Sequence, residues 1–448
     1  MNLDEMLRLL RDREGVSPVS FRLNAGDEAH LEVRPGDFRK ACLFAHNVSG
    51  APVSTLFAED QRAERRRFFI RCVFCLRQER LWLVISAGLD PEAPEYDSLA
   101  NDIFSAALFE READEMFGLK RRGAFDDRPL RLHPEVWPEG FHPLRKDFRH
   151  PGPRGQAGRD YAFRRVEGEG VFEVPVGPVH AGIIGPGHFR FSAAGEPVLN
   201  LEIRLGFTHR GAEKLFEGRT AAEALAFSEL VDGEAAFAHS LAFSDAVEKI
   251  CGVKTPEEHL LARGILLELE RMYNHAGDLG GLATDVGFGF PAACAAALKE
   301  DLLALNGKLA GSRYLKGFNR LGGTCGLTVP MLDEIEAALA SALKDFSGIM
   351  NILYGSASFM DRVEETGVLP QKTAAELGVS GPAARASGIA WDMREFSPLY
   401  RRAGFRPARQ AQGDVLARLR VRAAEFEESA RLARGFSTAL RTAPRSGP

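Results

Sequence analysis

Two long amphipathic patterns between Leu225 and Gly289 constrain the fold of this chain more than any other stretch. Apolar residues recur there at helical spacing, so a pair of helices is expected. The pair is not purely apolar. The first pattern carries Asp232-Gly-Glu-Ala-Ala-Phe-Ala-His239, and the second carries Glu268, Arg271 and His275. Asp232 and His239 are seven residues apart, two helical turns, which puts them on one face of a continuous helix. Glu268, Arg271 and His275 repeat that arrangement on the next helix. A single histidine on such a face is ordinarily a satisfied core residue. Four acidic or histidine groups on paired helices point to a polar cluster with a present or ancestral function.

At 448 residues the chain is expected to hold two or three domains. Its composition, 45% apolar and 27% charged, is globular and ample for a large core. A net charge of −5 and a pI near 6.2 argue against a nucleic-acid partner. No run of about 18 apolar residues exists, so no segment is expected to span a bilayer. Met1–Arg13 reads as an amphipathic helix of mixed charge rather than a signal peptide. The six cysteines are scattered, which suits a reducing cytoplasm better than a secreted scaffold.

The patterning predicts an α+β chain: a small N-terminal α/β domain over residues 1–149, a linker over 150–160, and a mostly helical domain over 161–448 that opens on a β-sheet. In the first, Val33-Arg-Pro-Gly36 opens a turn before an amphipathic segment, and Phe68–Cys75 with Leu81–Ser86 reads as a hairpin. A helix is expected over Tyr96–Met116, then a Pro-rich extended tail over Pro129–Phe148. His150-Pro-Gly-Pro-Arg-Gly155 fits neither a helix nor a central strand and marks the boundary. Val171–Arg204 reads as two strand pieces around Gly195-Glu196. Thr255-Pro-Glu-Glu258 has the form of a capping box, with Thr255 as cap, opening a helix to about Gly277. Further helices fit Ala292–Ala310, Met331–Leu353 and Gly413–Ala439, and Arg394–Pro407 reads as irregular loop, either solvated or a docking element.

Cys72-Val-Phe-Cys75 has metal-ligand spacing, but on a strand residues three apart face opposite ways, so the pair is read as structural. Cys251, Cys294 and Cys325 lack ligand spacing. Gly185-Pro-Gly187 and Gly322-Gly323 do not follow the strand–loop–helix order of a phosphate cradle, so nothing supports direct binding of NAD or ATP. His180 and His188 flank a glycine-rich loop between strands. His209-Arg-Gly-Ala-Glu-Lys214 gathers charge around a glycine at the entry to the helical region.

Taken with Phe237-Ala-His-Ser-Leu-Ala-Phe243, Leu267-Glu-Leu-Glu-Arg-Met-Tyr-Asn-His275, Gly381-Pro-Ala-Ala-Arg-Ala-Ser-Gly388 and Glu428-Ser429, these segments resemble the large subunit of group 4 membrane-bound nickel–iron hydrogenases. They are similar also to the quinone-site large subunit of complex I. Glu110-Arg-Glu-Ala-Asp-Glu-Met-Phe-Gly118 and His142-Pro-Leu-Arg-Lys-Asp-Phe148 resemble the complex I subunit beside it. A fusion of the two is the arrangement of formate-hydrogenlyase large subunits.

A nickel–iron centre in that family needs two pairs of cysteine thiolates, and neither pair is expected here. Alignment on Phe237-Ala-His-Ser240 puts the first pair at Asp232 and Ala235, and no cysteine follows Cys325. Carboxylate and methyl groups do not replace thiolates at such a centre. In the complex I branch a tyrosine follows the aspartate, where this chain has Gly233, and a histidine of the first β-loop helps to hold the quinone; His188 or His180 can serve. The resemblance therefore implies Asp232, His239, His188 and His180 as acid–base groups and His209, Arg210, Glu213, Glu268 and His275 as cofactor-contacting groups, with no metal ligands. It implies no tightly bound cofactor, a quinone as the candidate ligand, and an iron–sulfur cluster in a small partner subunit. Membrane subunits complete the expected complex, which places the chain on the inner face of the cell membrane. The alternative is a structural or assembly subunit that keeps the fold without catalysis.

Overall fold

The structure, a computed structural model, describes residues 3–24, 26–149, 160–180 and 184–443. The chain is mixed α+β and forms two compact units, Met1–Leu215 with Glu376–Gly378, and Phe216–Ala375 with Val379–Pro448. The linker expected at 150–160 lies, apart from Asp160, outside the described residues. The β-sheet expected to open the helical domain belongs to the first unit.

That unit runs α1 (Leu3–Glu14), β1 (Ser20–Asn24), β2 (Glu28–Val33), α2 (Pro35–Ser49), β3 (Val53–Gln61), α3 (Arg62–Arg65), β4 (Arg67–Leu76), β5 (Leu81–Leu89), β6 (Glu95–Asp97), α4 (Ala107–Phe117), β7 (Lys120–Arg122), β8 (Val171–Val176), β9 (His188–Ala194) and β10 (Val198–Arg204). Strands order as β1-β2-β5-β4-β3, with β2 parallel to β5 and the other neighbours antiparallel. The expected hairpin is β4–β5. Helix α2 starts at Pro35, whose fixed φ suits a first turn, and ends at Gly50 in the left-handed conformation. It buries Phe38, Ala41, Cys42 and Ala45. Cys72 and Cys75 are both buried and free.

The helix expected over Tyr96–Met116 is shorter, and its first half is strand and turn. The buried carboxylate of Glu110 is the reason. It accepts from Ser98 Oγ at 2.6 Å and from the Leu99 amide at 2.7 Å, holding the preceding segment as a turn. Glu115 on the same helix accepts from the Leu130 and Arg131 amides, the latter at 2.8 Å, and so fastens the Pro-rich tail. Arg145 returns the contact, donating from Nε to the Phe117 carbonyl at 2.7 Å. At Gly118, φ is +70° and an added Cβ would lie 2.5 Å from both Arg145 and His142, so only glycine lets the tail close on the end of α4.

The β10-β9-β8 sheet has an inverted polarity. An antiparallel sheet usually packs its apolar face inward. Here Glu202 and Arg204 face the unit's own chain, engaging Arg128, Tyr161 and Glu135, and Arg190 lies 4.0 Å over the Phe163 ring. The opposite face carries Phe172, Val174 and Val176 of β8 beside Phe189 and Phe191 of β9 and Leu201 and Ile203 of β10. The β8 and β10 members of that face are exposed.

The second unit runs α6 (Ala221–Ser228) after the short α5 (Ala212–Phe216), then α7 (Ala236–Cys251), α8 (Glu257–Asp285), α9 (Gly289–Ala310), a small β11–β12 pair (Asn319–Arg320, Gly323–Thr324), α10 (Val329–Tyr354), α11 (Ala357–Val363), α12 (Gln371–Glu376), α13 (Gly381–Ala386), α14 (Pro398–Arg402) and α15 (Val415–Thr442). Helix α8 lies between α9 and α15 and is buried along most of its length. It continues past Gly277 because its glycines admit a neighbour: a Cβ at Gly280 would sit 3.3 Å from that of Ala295 on α9. Its start differs too. The Thr255 hydroxyl donates to Glu248 at 2.6 Å and does not cap α8. That Glu248 is forked to the buried Arg263, which explains the diversion.

Candidate functional site

At the head of α7 the sequence expectation is corrected. Asp232 is exposed and precedes the helix, which begins at Ala236, so Asp232 and His239 do not share a helical face. Gly233 and the short side chain of Asp232 favour a turn, in which Asp232 Oδ1 accepts from the Glu234 amide at 3.0 Å. The helix's first amides are capped from outside. Glu270 of α8 accepts from Phe237 N at 2.8 Å and Ala238 N at 2.9 Å. Burial outweighs these bonds and pushes the Glu270 carboxyl up to about 7. Tyr273 and Asn274 donate to the Glu234 carbonyl at 2.5 and 3.0 Å, and Lys299 pairs with the Glu234 carboxylate at 2.8 Å. His239, in the first turn of α7, is half-buried.

Glu268 and His275 belong to a different structure from the cofactor contacts expected of them. Glu268 is fully buried and accepts from Ser429 Oγ at 2.6 Å, Tyr400 Oη at 2.7 Å, Arg394 at 3.0 Å and Arg271 at 3.2 Å. Arg394 forks onto Asp392 at 3.0 and 2.8 Å and covers the Phe405 ring. Asp392 lies 3.6 Å from Arg385, whose Nε donates to Glu425 at 2.5 Å. The second oxygen of Glu425 meets His275 Nε2 at 2.9 Å, and His275 is one turn from Arg271 on α8. Three guanidinium groups thus alternate with three carboxylates along a buried circuit, Arg271–Glu268–Arg394–Asp392–Arg385–Glu425, which ends on His275 and runs through α8, the 392–394 turn, α13 and α15.

Burial favours neutral His275, so its Nε2–H donates to the carboxylate. For Glu425, burial is outweighed by the His275 hydrogen bond and Arg385, which hold the carboxyl at about 2. Glu268 is likewise held below the ordinary range by Arg271 and Arg394 against its burial.

Arg385, Asp392, Arg394, Tyr400 and Glu425 are site residues that sequence reasoning misses. Arg394–Pro407 has the look of surface loop because its arginines and prolines interrupt any period, yet Arg394, Tyr400 and Phe405 are buried. The available signal is Glu425 and Ser429, four apart on one face of α15 as the acidic and histidine groups are on α8.

The remaining candidates lie in the first unit. In the β8–β9 loop, of which residues 181–183 are outside the described set, His180 Nε2 bonds the Gly187 carbonyl at 2.7 Å. His188 Nδ1 reaches the Gly177 carbonyl at 3.4 Å. Its Nε2 is buried and has no hydrogen-bond partner among the described residues. His209 is half-buried, which lowers its pKa, with Glu213 opposing. Lys214 donates to the Arg145 carbonyl at 3.1 Å, anchoring the motif to the tail, whereas Arg210 and Glu213 are exposed. Among the described residues no helix is long and apolar enough to cross a membrane.

Residues 31–154 match the family model of the respiratory-chain NADH dehydrogenase 30 Kd subunit, and residues 271–446 match that of the 49 Kd subunit. The chain belongs to the family of complex I-type and hydrogenase-related large subunits, with the two parts joined in one polypeptide. Formate hydrogenlyase subunit 5 of Escherichia coli (strain K12) is 30% identical over 407 residues, 88% of this chain and 71% of that protein. Hydrogenase-4 component G of the same organism is 30% identical, covering 84% and 66%. An NADH-quinone oxidoreductase subunit of Streptomyces griseus is 33% identical, covering 54% and 63%. The chain spans just under two thirds of the latter two relatives.

The donors at the head of α7 do not fit a nickel–iron centre. The side chains there are a carboxylate at Asp232 and a methyl group at Ala235, with no thiolate between Asp232 and Ala246, and soft thiolates are what such a centre requires.

Proposed function

We propose that this chain is the large subunit of a membrane-associated, NADH:quinone-oxidoreductase-like complex and takes part in quinone or proton coupling without a nickel–iron centre of its own. The head of α7 supports this most: Asp232 offers a carboxylate that can carry a proton and accept hydrogen bonds, and Ala235 supplies no thiolate for a soft metal. Reducing a quinone takes protons as well as electrons, so acid and imidazole groups beside its oxygens serve that chemistry. Within the helical unit we assign this role to Asp232 and His239; in the first unit the candidate is His188, whose buried Nε2, unpartnered among the described residues, is suited to a hydrogen bond with a ligand oxygen. His180 ranks below it because its Nε2 is already engaged. His209, Arg210 and Glu213 are assigned to the surrounding framework of the ligand. Electrons arrive from an iron–sulfur cluster in a small partner subunit, membrane subunits complete the assembly, and the chain lies peripherally on the inner face of the membrane.

The test is binding of a quinone analogue to the purified complex. Asp232→Ala and His188→Ala are each expected to weaken it by about tenfold, or ~1.4 kcal/mol. Unchanged affinity in both variants overturns the assignment. A second reading, a scaffold subunit without catalysis, is favoured by Gly233 at the position of the complex I tyrosine. An assembled wild-type complex that binds no analogue leaves that reading. Metal analysis is expected to find no stoichiometric nickel in the chain.

A further inference from the structure

Helix α15 carries six arginines, and five of them are engaged by carboxylates or carbonyls. Arg418 donates to the Gly367 and Gly413 carbonyls, and Arg422, Arg431, Arg434 and Arg441 pair with Asp278, Glu428, Glu336 and Asp333. Arg420 has neither a carboxylate within ion-pair distance nor a hydrogen-bonded carbonyl among the described residues. It lines a cleft of about 430 Å³ between α10, α11 and α15. Beside it stands the phenol of Tyr354, raised in pKa by burial against the opposing pull of Arg420. The cleft is open because Ala423 and Ala424 of α15 leave space that larger side chains would fill. Met350 and Met360 form its apolar wall, and Glu427 stands on the same lining two turns along α15.

Each part selects. A guanidinium without an anionic partner carries five donors in a planar fork and matches a carboxylate on two of them. The methionine wall is apolar and adapts its shape, so it suits a hydrocarbon or aromatic body without specifying one. The volume falls within the range of small-molecule sites. Glu427 disfavours a second negative charge, which sets phosphate monoesters and dicarboxylates at a disadvantage.

We propose that this cleft is a binding site for a small organic monocarboxylate, its carboxylate on Arg420 and Tyr354 and its apolar body against Met350 and Met360. The site lies wholly within the helical unit. It is separate from the head of α7 and from the buried circuit, and it does not depend on the quinone reading.

The probes are octanoate, its neutral counterpart octanol, and the dicarboxylate suberate, titrated into the full chain by calorimetry. Octanoate is expected to bind at least tenfold tighter than octanol and to exceed suberate. Arg420→Gln is expected to remove the preference for octanoate while leaving octanol unchanged. Glu427→Gln is expected to bring suberate up to octanoate. Met360→Trp, which fills the cleft, is expected to abolish binding of both monofunctional probes with the melting temperature kept. Octanoate binding no tighter than octanol, or equally well in Arg420→Gln, overturns the proposal and leaves Arg420 a solvated surface charge. Binding that survives Met360→Trp overturns it as well, since the ligand then lies elsewhere.

Discussion

Glu268 has no exposed surface and gathers four donors, two of them arginines, so its removal strands charge rather than merely deleting a contact. Breaking one partner of a buried ion pair costs about 3–5 kcal/mol, whereas exchanging the whole set for apolar groups can be neutral. Glu268→Ala is therefore expected to lower unfolding free energy in urea by about that amount, and Glu268→Ala with Arg394→Met by less than the sum of the single changes. A strictly additive result would show that the circuit is not coupled. The same chemistry sets an acid limit. Glu425 ordinarily titrates near 4.5 and is held at about 2 in the folded chain, so it contributes stability above 4.5 that is lost as pH falls toward 2. Glu425→Gln is expected to be destabilised at neutral pH and to show a flatter decline below pH 4.5 than the native chain. Glu270 has the opposite sign. Its carboxyl is raised to about 7, so the protonated form favours the fold, and that contribution is present below 4.5 and fades as pH rises to 7. Urea midpoints of Glu270→Gln between pH 4.5 and 7 are expected to change less with pH than those of the native chain.

Helix α7 has no cap of its own, since Ala235 offers no side-chain acceptor, and α8 supplies one through Glu270. Glu270→Ala is expected to cost about 1–2 kcal/mol and to speed amide exchange at Phe237 and Ala238. Unchanged exchange there would show that the cap is dispensable. Gly118 has an equivalent role at the end of α4. Gly118→Ala combines left-handed strain with a clash against Arg145 and His142, and is expected to cost more than ~1 kcal/mol and to open the 129–148 tail to proteases. How legible such elements are depends on where their bonding partners lie. The long helices of the second unit and the β4–β5 hairpin are readable because their apolar periods are local. The turn before α4, the start of α8 and the buried 392–405 segment are not, because in each a carboxylate outside the segment, Glu110, Glu248 or Glu268, satisfies or redirects the local groups. Asp232 is misplaced for the reverse reason: a helical spacing count ignores the turn that Gly233 and an aspartate side chain prefer.

Across the whole molecule, family membership rests on motifs that the fold accounts for singly. The Glu110–Gly118 and His142–Phe148 segments are two halves of one closure, and Arg385 with Glu425 and Ser429 brings otherwise separate C-terminal motifs into one circuit. The β10-β9-β8 sheet has a practical consequence. Phenylalanine, valine, leucine and isoleucine are exposed on one face, and β8 and β10 are edges with no further strand among the described residues. Such a surface drives strand-to-strand stacking between copies. Purified by itself the chain is expected to scatter light increasingly with concentration and to salt out early in sulfate, which strengthens apolar burial. Val174→Lys with Leu201→Glu is expected to raise the concentration at which scattering begins, while circular dichroism stays the same. Scattering that is indifferent to both substitutions would place the adhesive surface elsewhere. Yield and shelf life in solution would then be set by this one small sheet, whatever the folding stability of the helical unit.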